Sequence, residues 1–366
     1  MRAGGAGSAK IVYVVGARPN FVKMAPVIAA LRARLPEARH VIVHTGQHYD
    51  RAMSDVFLGQ LRIPDPDHLL GVGSGTHAQQ TARVMERLEP VLEVEQPDLV
   101  IVPGDVNSTL AASLVAAKLC LPSAHLEAGL RSFDRSMPEE INRIVADQFA
   151  DILLAHSDEA LVNLAREGID PGRVHLVGNT MIDSLVACES RFRDLHMAES
   201  FGLTPGEYVL VTLHRPALVD GPLLGRVMDE LERLAERAPV VFPVHPRTRA
   251  NLNGSTGRGK VTLVDPLGYL EFVSLEADAG AVLTDSGGVQ EETSFLGVPC
   301  FTLRDTTERP VTVRAGTNTV LGLDPAAIAQ VAIPRTPIEP PRIAAWDGHA
   351  ADRVATVVAD FVSQRG

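Results

Sequence analysis

The chain has 366 residues, 34 basic and 45 acidic, and a formal net charge of −11 before histidine. That length is expected to form two domains, each able to bury its own core, and the acidic balance argues against a nucleic-acid binder, which needs a basic face for phosphates. Three widely spaced cysteines, Cys120, Cys188 and Cys300, form no CxxC pair, so neither a disulfide framework nor a thiolate zinc site is indicated and a reducing compartment fits.

The Gly/Ala-rich residues 1–10 lack the apolar core of a signal peptide, and no stretch reaches the roughly 18 apolar residues of a membrane span. A cytoplasmic chain is expected. Short β-branched runs then alternate with longer amphipathic ones. They predict strands over residues 10–15, 40–44, 98–102, 123–127 and 152–156, and helices over 22–35, 109–119 and 139–150. The second half repeats the style, with strands over 208–213, 240–244, 261–264, 281–284 and 300–303 and helices over 223–237 and 288–296. This βαβ alternation predicts an α/β fold of two Rossmann-like domains. The runs near Asp98 and Ala281 are continuously apolar, as when both faces of a strand are buried. A polar stretch over 178–206 is expected to carry the hinge. The first domain is then 1–178, joined by a C-terminal helix within 350–366, and the second is 179–349.

In open α/β sheets ligands bind outside the carboxyl ends of the strands, so polar residues just after apolar runs are the first candidates. Arg18 and Lys23 follow the first strand in Gly16-Ala-Arg-Pro-Asn-Phe-Val-Lys23 and can meet an anion. Asp105 and Glu127 end two consecutive strands, and Glu139 opens the next helix. Carboxylates gathered there raise one another's proton affinity, which makes an acid or base that works near neutral pH. Plainer roles compete: Ser136-Met-Pro-Glu139 matches a capping box, and Asp105 can cap the helix after it. His214 with Arg215, and His245, end two strands of the second half; histidine beside arginine at a sheet rim suits a phosphate. Thr284-Asp-Ser-Gly-Gly-Val-Gln-Glu-Glu292 is the sharpest signal. Its glycines let the backbone approach a ligand, Ser286 offers a hydroxyl, the helix start offers N–H groups to a phosphate, and Glu291 or Glu292 can bridge a ribose diol. Asp65-Pro-Asp67 imitates a metal-binding pair but reads as a loop.

Nine segments in order resemble the non-hydrolysing UDP-N-acetylglucosamine 2-epimerase family, which shares its fold with GT-B glycosyltransferases. They are Gly16-Ala-Arg-Pro-Asn-Phe-Val-Lys-Met, His44-Thr-Gly-Gln-His-Tyr-Asp50, Gly104-Asp-Val-Asn-Ser-Thr109, His125-Leu-Glu-Ala-Gly-Leu-Arg131, Pro138-Glu-Glu-Ile-Asn-Arg143, Gly178-Asn-Thr, Leu213-His-Arg, Asp285-Ser-Gly-Gly-Val-Gln-Glu-Glu292 and Arg304-Asp-Thr-Thr-Glu-Arg-Pro310. The resemblance implies a GT-B type fold with an active site in the interdomain cleft. It places Arg18, Lys23, Asp105, Glu127, Glu139 and His214 at catalytic or sugar-diphosphate positions, and Phe272, Ser286, Gly287, Gly288, Glu292 and Arg309 at uridine, phosphate and ribose contacts.

The implied reaction is reversible C2 epimerisation of UDP-N-acetylglucosamine to UDP-N-acetylmannosamine, by anti elimination of UDP to a 2-acetamidoglucal and re-addition. It implies no metal and no cofactor, a UDP-sugar as partner, no nucleic acid or membrane, and a homodimer. The chain departs from many members where His214-Arg215 is followed by Pro-Ala-Leu-Val-Asp220, where Leu267 replaces a uracil-contacting Gln, and in a shorter segment 132–137. Gln47 fits the family's second, activating site. A hydrolysing epimerase, a GT-B glycosyltransferase and a silent UDP-sugar-binding protein are the competing readings. Three rim acids exceed what one acceptor base requires, and they have no evident use in a silent protein.

Overall fold

The β-branched runs pair into two parallel sheets, seen in a computed structural model that describes residues 8–46, 59–219, 221, 223–244, 246–252, 260–336 and 338–365. The chain divides into two units, Met1–Val186 with Ala344–Gly366, and Ala187–Ile343. In the first unit the strands are β1 Lys10–Val15, β2 Arg39–His44, β3 His68–Leu69, β4 Leu99–Pro103, β5 Ser123–Ala128, β6 Ile152–Ala155 and β7 Val174–Leu176. Their order is β3-β2-β1-β4-β5-β6-β7, so the strand order reverses between β1 and β4. That reversal opens a crevice at the carboxyl ends of both strands, where Gly16 to Lys23 and Asp105 follow.

Alternation along β1 explains the layers. Ile11, Tyr13 and Val15 pack on one side with Val27 and Leu31 of helix Arg18–Arg34 and Val354 and Val358 of the C-terminal helix Ala350–Ser363. Val12 and Val14 pack on the other with Val84 and Leu88 of helix His77–Glu95 and Ala112 and Val115 of helix Asn107–Lys118. Asp183 fixes the C-terminal helix in this unit: its carboxylate accepts from the Ala350 N–H at 3.1 Å and the Ala351 N–H at 2.6 Å, two donors that the helix cannot satisfy itself. Residues 179–186 and 344–349, assigned to the second domain by the sequence, therefore lie in the first unit.

The second unit repeats the plan with β8 Val209–Thr212, β9 Val240–Pro243, β10 Val261–Val264, β11 Ala281–Thr284, β12 Cys300–Thr302 and β13 Asn318–Val320, in the order β10-β9-β8-β11-β12-β13. Its reversal lies between β8 and β11, which places His214 and the Asp285–Gly288 turn at one crevice. Helix Leu223–Leu234 buries Leu224, Val227, Met228, Leu231 and Leu234, a stripe at helical spacing, against this sheet.

Helix His77–Glu95 has no counterpart in the sequence reading. It starts at Thr76, whose hydroxyl accepts from the Gln79 N–H while the Gln79 side chain accepts from the Thr76 N–H, a capping box. No helix among the described residues is long and apolar enough to cross a membrane.

Candidate active site

The rim of the first unit is built around Glu127. β5 loses its register against β6 between Leu126 and Ala128, and Glu127 takes the left-handed φ of +69°. A non-glycine residue there costs about 1–2 kcal/mol, a strain typical of functional sites. The bulge redirects a carboxylate that is only 3% exposed. Lys23, buried in the helix after β1, donates through Nζ to Glu127 Oε2. Glu127 Oε1 is buried with no hydrogen-bond partner among the described residues. Gly104 makes this pairing possible: a Cβ on it would stand 3.2 Å from Lys23 Nζ, and its φ of +62° suits glycine. Asn20 ties the first loop down, accepting from the N–H groups of Gly16 at 3.1 Å and Ala17 at 3.2 Å.

Asp105 is not a helix cap. The N-cap of helix Asn107–Lys118 is Val106, and the Asp105 carboxylate instead accepts from Arg143 Nε at 3.0 Å and Nη2 at 2.6 Å. Arg143, also buried, donates through Nη1 to Glu140 at 2.9 Å. Glu140 is fixed in turn by the N–H groups of Ser132 and Phe133 at 2.8 and 3.0 Å. The capping box at Ser136 is absent: helix Pro138–Phe149 has Met137 as N-cap without a side-chain bond, and Ser136 Oγ donates to Asp134 at 2.6 Å. Glu139 is thus half-buried in the first turn of that helix and Glu140 carries the structural duty. Arg18 opens helix Arg18–Arg34, but its side chain lies outside the described residues, as do Gln47 and His245. Asp67 is a loop residue whose carboxylate accepts from the Ile42 N–H at 2.8 Å.

In the second unit Asp285 organises the rim. It is fully buried and accepts from the N–H groups of His214 at 3.0 Å and Arg215 at 2.8 Å, and it meets His214 Nδ1 at 2.8 Å. Burial alone would raise its carboxyl, but the His214 ring and these N–H groups hold it below the usual carboxylate range. A donating Nδ1 leaves Nε2 of the exposed His214 ring for a ligand. Ser286 is the N-cap of helix Gly287–Leu296 and makes no side-chain cap bond, so the first N–H groups and its hydroxyl are available to an anion. Gly287 is required by a close approach: a Cβ there would lie 2.4 Å from Arg309 Nη1. The buried Arg309 guanidinium lies over this helix start, held by Glu291 through Nε at 2.8 Å and by Glu308 at 3.4 Å. Gly288 is the second residue of the helix.

Glu291 is thereby committed to Arg309. Glu292 instead receives the Tyr269 hydroxyl at 3.0 Å. Its carboxyl is pushed up to about 8, first by burial and then by neighbouring Glu291, against the Tyr269 hydrogen bond. Phe272, half-buried in helix Tyr269–Ala277, packs against the cluster containing Tyr208 and Leu275. Arg304 is spent inside the loop as a two-bond pair with Glu308, at 2.9 and 2.6 Å. The sequence reading did not single out Arg143, Asp285 or Tyr269 as site residues, because each acts through a partner distant in sequence.

Two parallel sheets with helices between their strands, each with its polar rim at a strand-order reversal, constitute a two-unit fold of GT-B type. Residues 30–359 match the family model described as UDP-N-acetylglucosamine 2-epimerase, and the chain belongs to that family. It is 41% identical to a UDP-N-acetylglucosamine 2-epimerase of Methanocaldococcus jannaschii over 332 residues, 86% of this chain and 88% of that one. It is 43% identical over 318 residues to a UDP-2,3-diacetamido-2,3-dideoxy-D-glucuronate 2-epimerase of Pseudomonas aeruginosa, again 86% and 88% of the two chains. The crystal structure of the M. jannaschii UDP-GlcNAc 2-epimerase in complex with UDP-GlcNAc and UDP superposes with a TM-score of 0.88 at 37% identity, covering 96% of this chain and 99% of that one.

Proposed function

We propose that the protein interconverts UDP-N-acetylglucosamine and UDP-N-acetylmannosamine without hydrolysis. The observation that carries this reading is Glu127, a buried and strained carboxylate tied to Lys23 at one oxygen and unpartnered at the other. C2–H of the sugar is not flanked by a carbonyl, so its removal is coupled to departure of UDP from C1. A rim carboxylate takes the proton, the C2–H electron pair becomes the C1=C2 double bond, and the C1–O pair leaves on the UDP phosphate. In the return step an acid protonates C2 of the 2-acetamidoglucal from the opposite face, and the UDP oxygen bonds C1. Asp105, Glu127 and Glu139 supply the acid and base as a set. Arg18, Arg309, His214 and the start of helix Gly287–Leu296 stabilise the departing diphosphate. Ser286, Gly287 and Gly288 face the phosphates, Glu292 the ribose and Phe272 the uracil. A cytoplasmic, cofactor-free homodimer belongs to the same reading.

NMR of the protein with UDP-N-acetylglucosamine in deuterated water tests it. Deuterium at C2 in both UDP-linked epimers is expected. Free N-acetylmannosamine plus UDP would establish the hydrolysing reaction instead. The 43% identity to the P. aeruginosa enzyme supports a second reading in which the sugar is a 2,3-diacetamido uronate. Running that UDP-sugar in parallel decides it: a higher kcat/KM for the uronate would move the substrate assignment and leave the elimination chemistry intact.

A further inference from the structure

Glu127, Asp105 and Glu139 stand on three separate segments, and one buried pair touches all three. His125 lies on β5 two residues before Glu127, and Asp147 lies in helix Pro138–Phe149, which Glu139 and Arg143 share; both are 0% exposed. His125 Nε2 bonds the main-chain oxygen of Gly104, the residue before Asp105, at 2.7 Å, and Nδ1 bonds Asp147 Oδ1 at 2.6 Å. Asp147 Oδ2 accepts from the Gly129 N–H at 3.1 Å, two residues past Glu127, and pairs with Arg131 at 2.6 Å. Arg131 passes the charge outward to Glu167 through Nε and Nη2, at 2.7 and 2.6 Å.

A main-chain oxygen only accepts, and so does an ionised carboxylate, so the His125 ring donates from both nitrogens. Burial would raise the Asp147 carboxyl, but His125 and Arg131 hold it below the usual range. With both ring nitrogens spent and no exposure, His125 has no proton to exchange with a sugar. Its bonds instead fix backbone: Asp147 grips the strand on either side of the left-handed Glu127, and His125 grips the turn that delivers Asp105.

We propose that His125 and Asp147 are positioning residues of the epimerisation, a buried ion pair that sets the spacing of the three rim carboxylates. A displacement of about 1 Å in a reacting group costs on the order of 100-fold in rate, and nothing else described here bonds to all three segments at once.

The inference rests on the proposed epimerase reading. The experiment therefore runs the wild-type protein alongside His125→Phe, which keeps a ring and removes both donors, and Asp147→Asn, which keeps the shape and removes the charge. Expected for His125→Phe is a fall in kcat of about 100-fold, with C2 deuterium exchange falling by the same factor. KM for UDP-N-acetylglucosamine and Kd for UDP should stay within about threefold, because the proposed UDP contacts other than Arg18 belong to the second unit. A smaller fall with the same split is expected for Asp147→Asn.

A folded His125→Phe with kcat within threefold of wild type overturns the proposal, as does an equal loss of UDP affinity, which marks general disruption. If His125→Phe does not fold, Asp147→Asn decides on the same criteria, and loss of folding in both assigns the pair to stability alone and also overturns it. Absent C2 exchange in the wild type would instead defeat the epimerase reading itself.

Discussion

The two rims handle buried charge in opposite ways. At the first rim the acids are paired with bases: Lys23 with Glu127, Arg143 with Asp105 and Glu140, His125 and Arg131 with Asp147. In the second unit Arg309 and Arg304 are matched by Glu291 and Glu308, but two further buried acids have no cation paired with them among the described residues. Glu276 is 0% exposed, both its oxygens lack hydrogen-bond partners among the described residues, and burial followed by the Glu292 charge raises its carboxyl well above the usual range. Glu292 is raised to about 8. A buried carboxyl is tolerated either beside a partner charge or with its proton on, and the second solution makes it sensitive to pH and to what binds. The first rim is accordingly braced by charge pairs, whereas Glu276 and Glu292 of the second unit respond to pH.

Breaking the fixed side gives the largest expected effect. Glu127→Gln removes the carboxylate while keeping its shape and should cut turnover by about 10²–10⁴-fold, the range for loss of a general acid or base. UDP affinity measured by calorimetry should stay within about tenfold. Turnover that survived would take Glu127 out of the mechanism and dissolve the contrast between the rims.

Gly287→Ala tests the second rim by geometry alone. Its new methyl would displace the Arg309 guanidinium, which lies 2.4 Å from the added Cβ. Titration with UDP should show affinity lowered about tenfold, roughly 1.4 kcal/mol, with C2 exchange at saturating substrate much less affected. An unchanged Kd would remove Arg309 from the phosphate site.

The pH dependence of UDP binding sharpens the comparison further. With a carboxyl at about 8, Glu292 is mostly protonated at pH 7, and a ribose diol that donates to it favours the ionised form. Affinity should therefore rise about tenfold between pH 7 and pH 9, because the ionised fraction rises by that factor. Glu292→Gln should bind with a flat profile; a slope that persisted in it would assign the titration elsewhere.

The smallest effect is on stability. Glu276 keeps its proton in the fold, while in the unfolded chain it ionises above about pH 4.3, so the folded state loses stability as pH rises from there toward the raised folded value. Glu276→Leu lifts that penalty. Melting temperature should rise by a few degrees at pH 8 and by less at pH 5; equal shifts at both would contradict a protonated Glu276.

Most of the core strands and many of the rim residues are legible in the sequence, since a parallel strand buried on both faces leaves a continuous apolar run whose carboxyl end marks the rim, whereas Arg143, Asp285 and Tyr269 are not. β1, β10 and β11 fall on the predicted residues. The short edge strands β3, β7 and β13 are not legible, because two or three residues show no period. Helix His77–Glu95 escapes for another reason: its buried stripe of Val84, Leu88 and Leu92 is narrow and its interior carries Pro90.

The order of motifs along the chain was enough to determine the fold class, the family and the acids that face the rims, because those depend on local pattern and on residue type. Tertiary structure alone decided which oxygen of Glu127 stays unpaired, that Glu140 rather than Glu139 braces Asp105's partner, and that His125 holds Gly104. Each of those depends on side chains that are brought together only when strands separated in sequence stack in one sheet, and on the left-handed turn at Glu127, which no residue type announces.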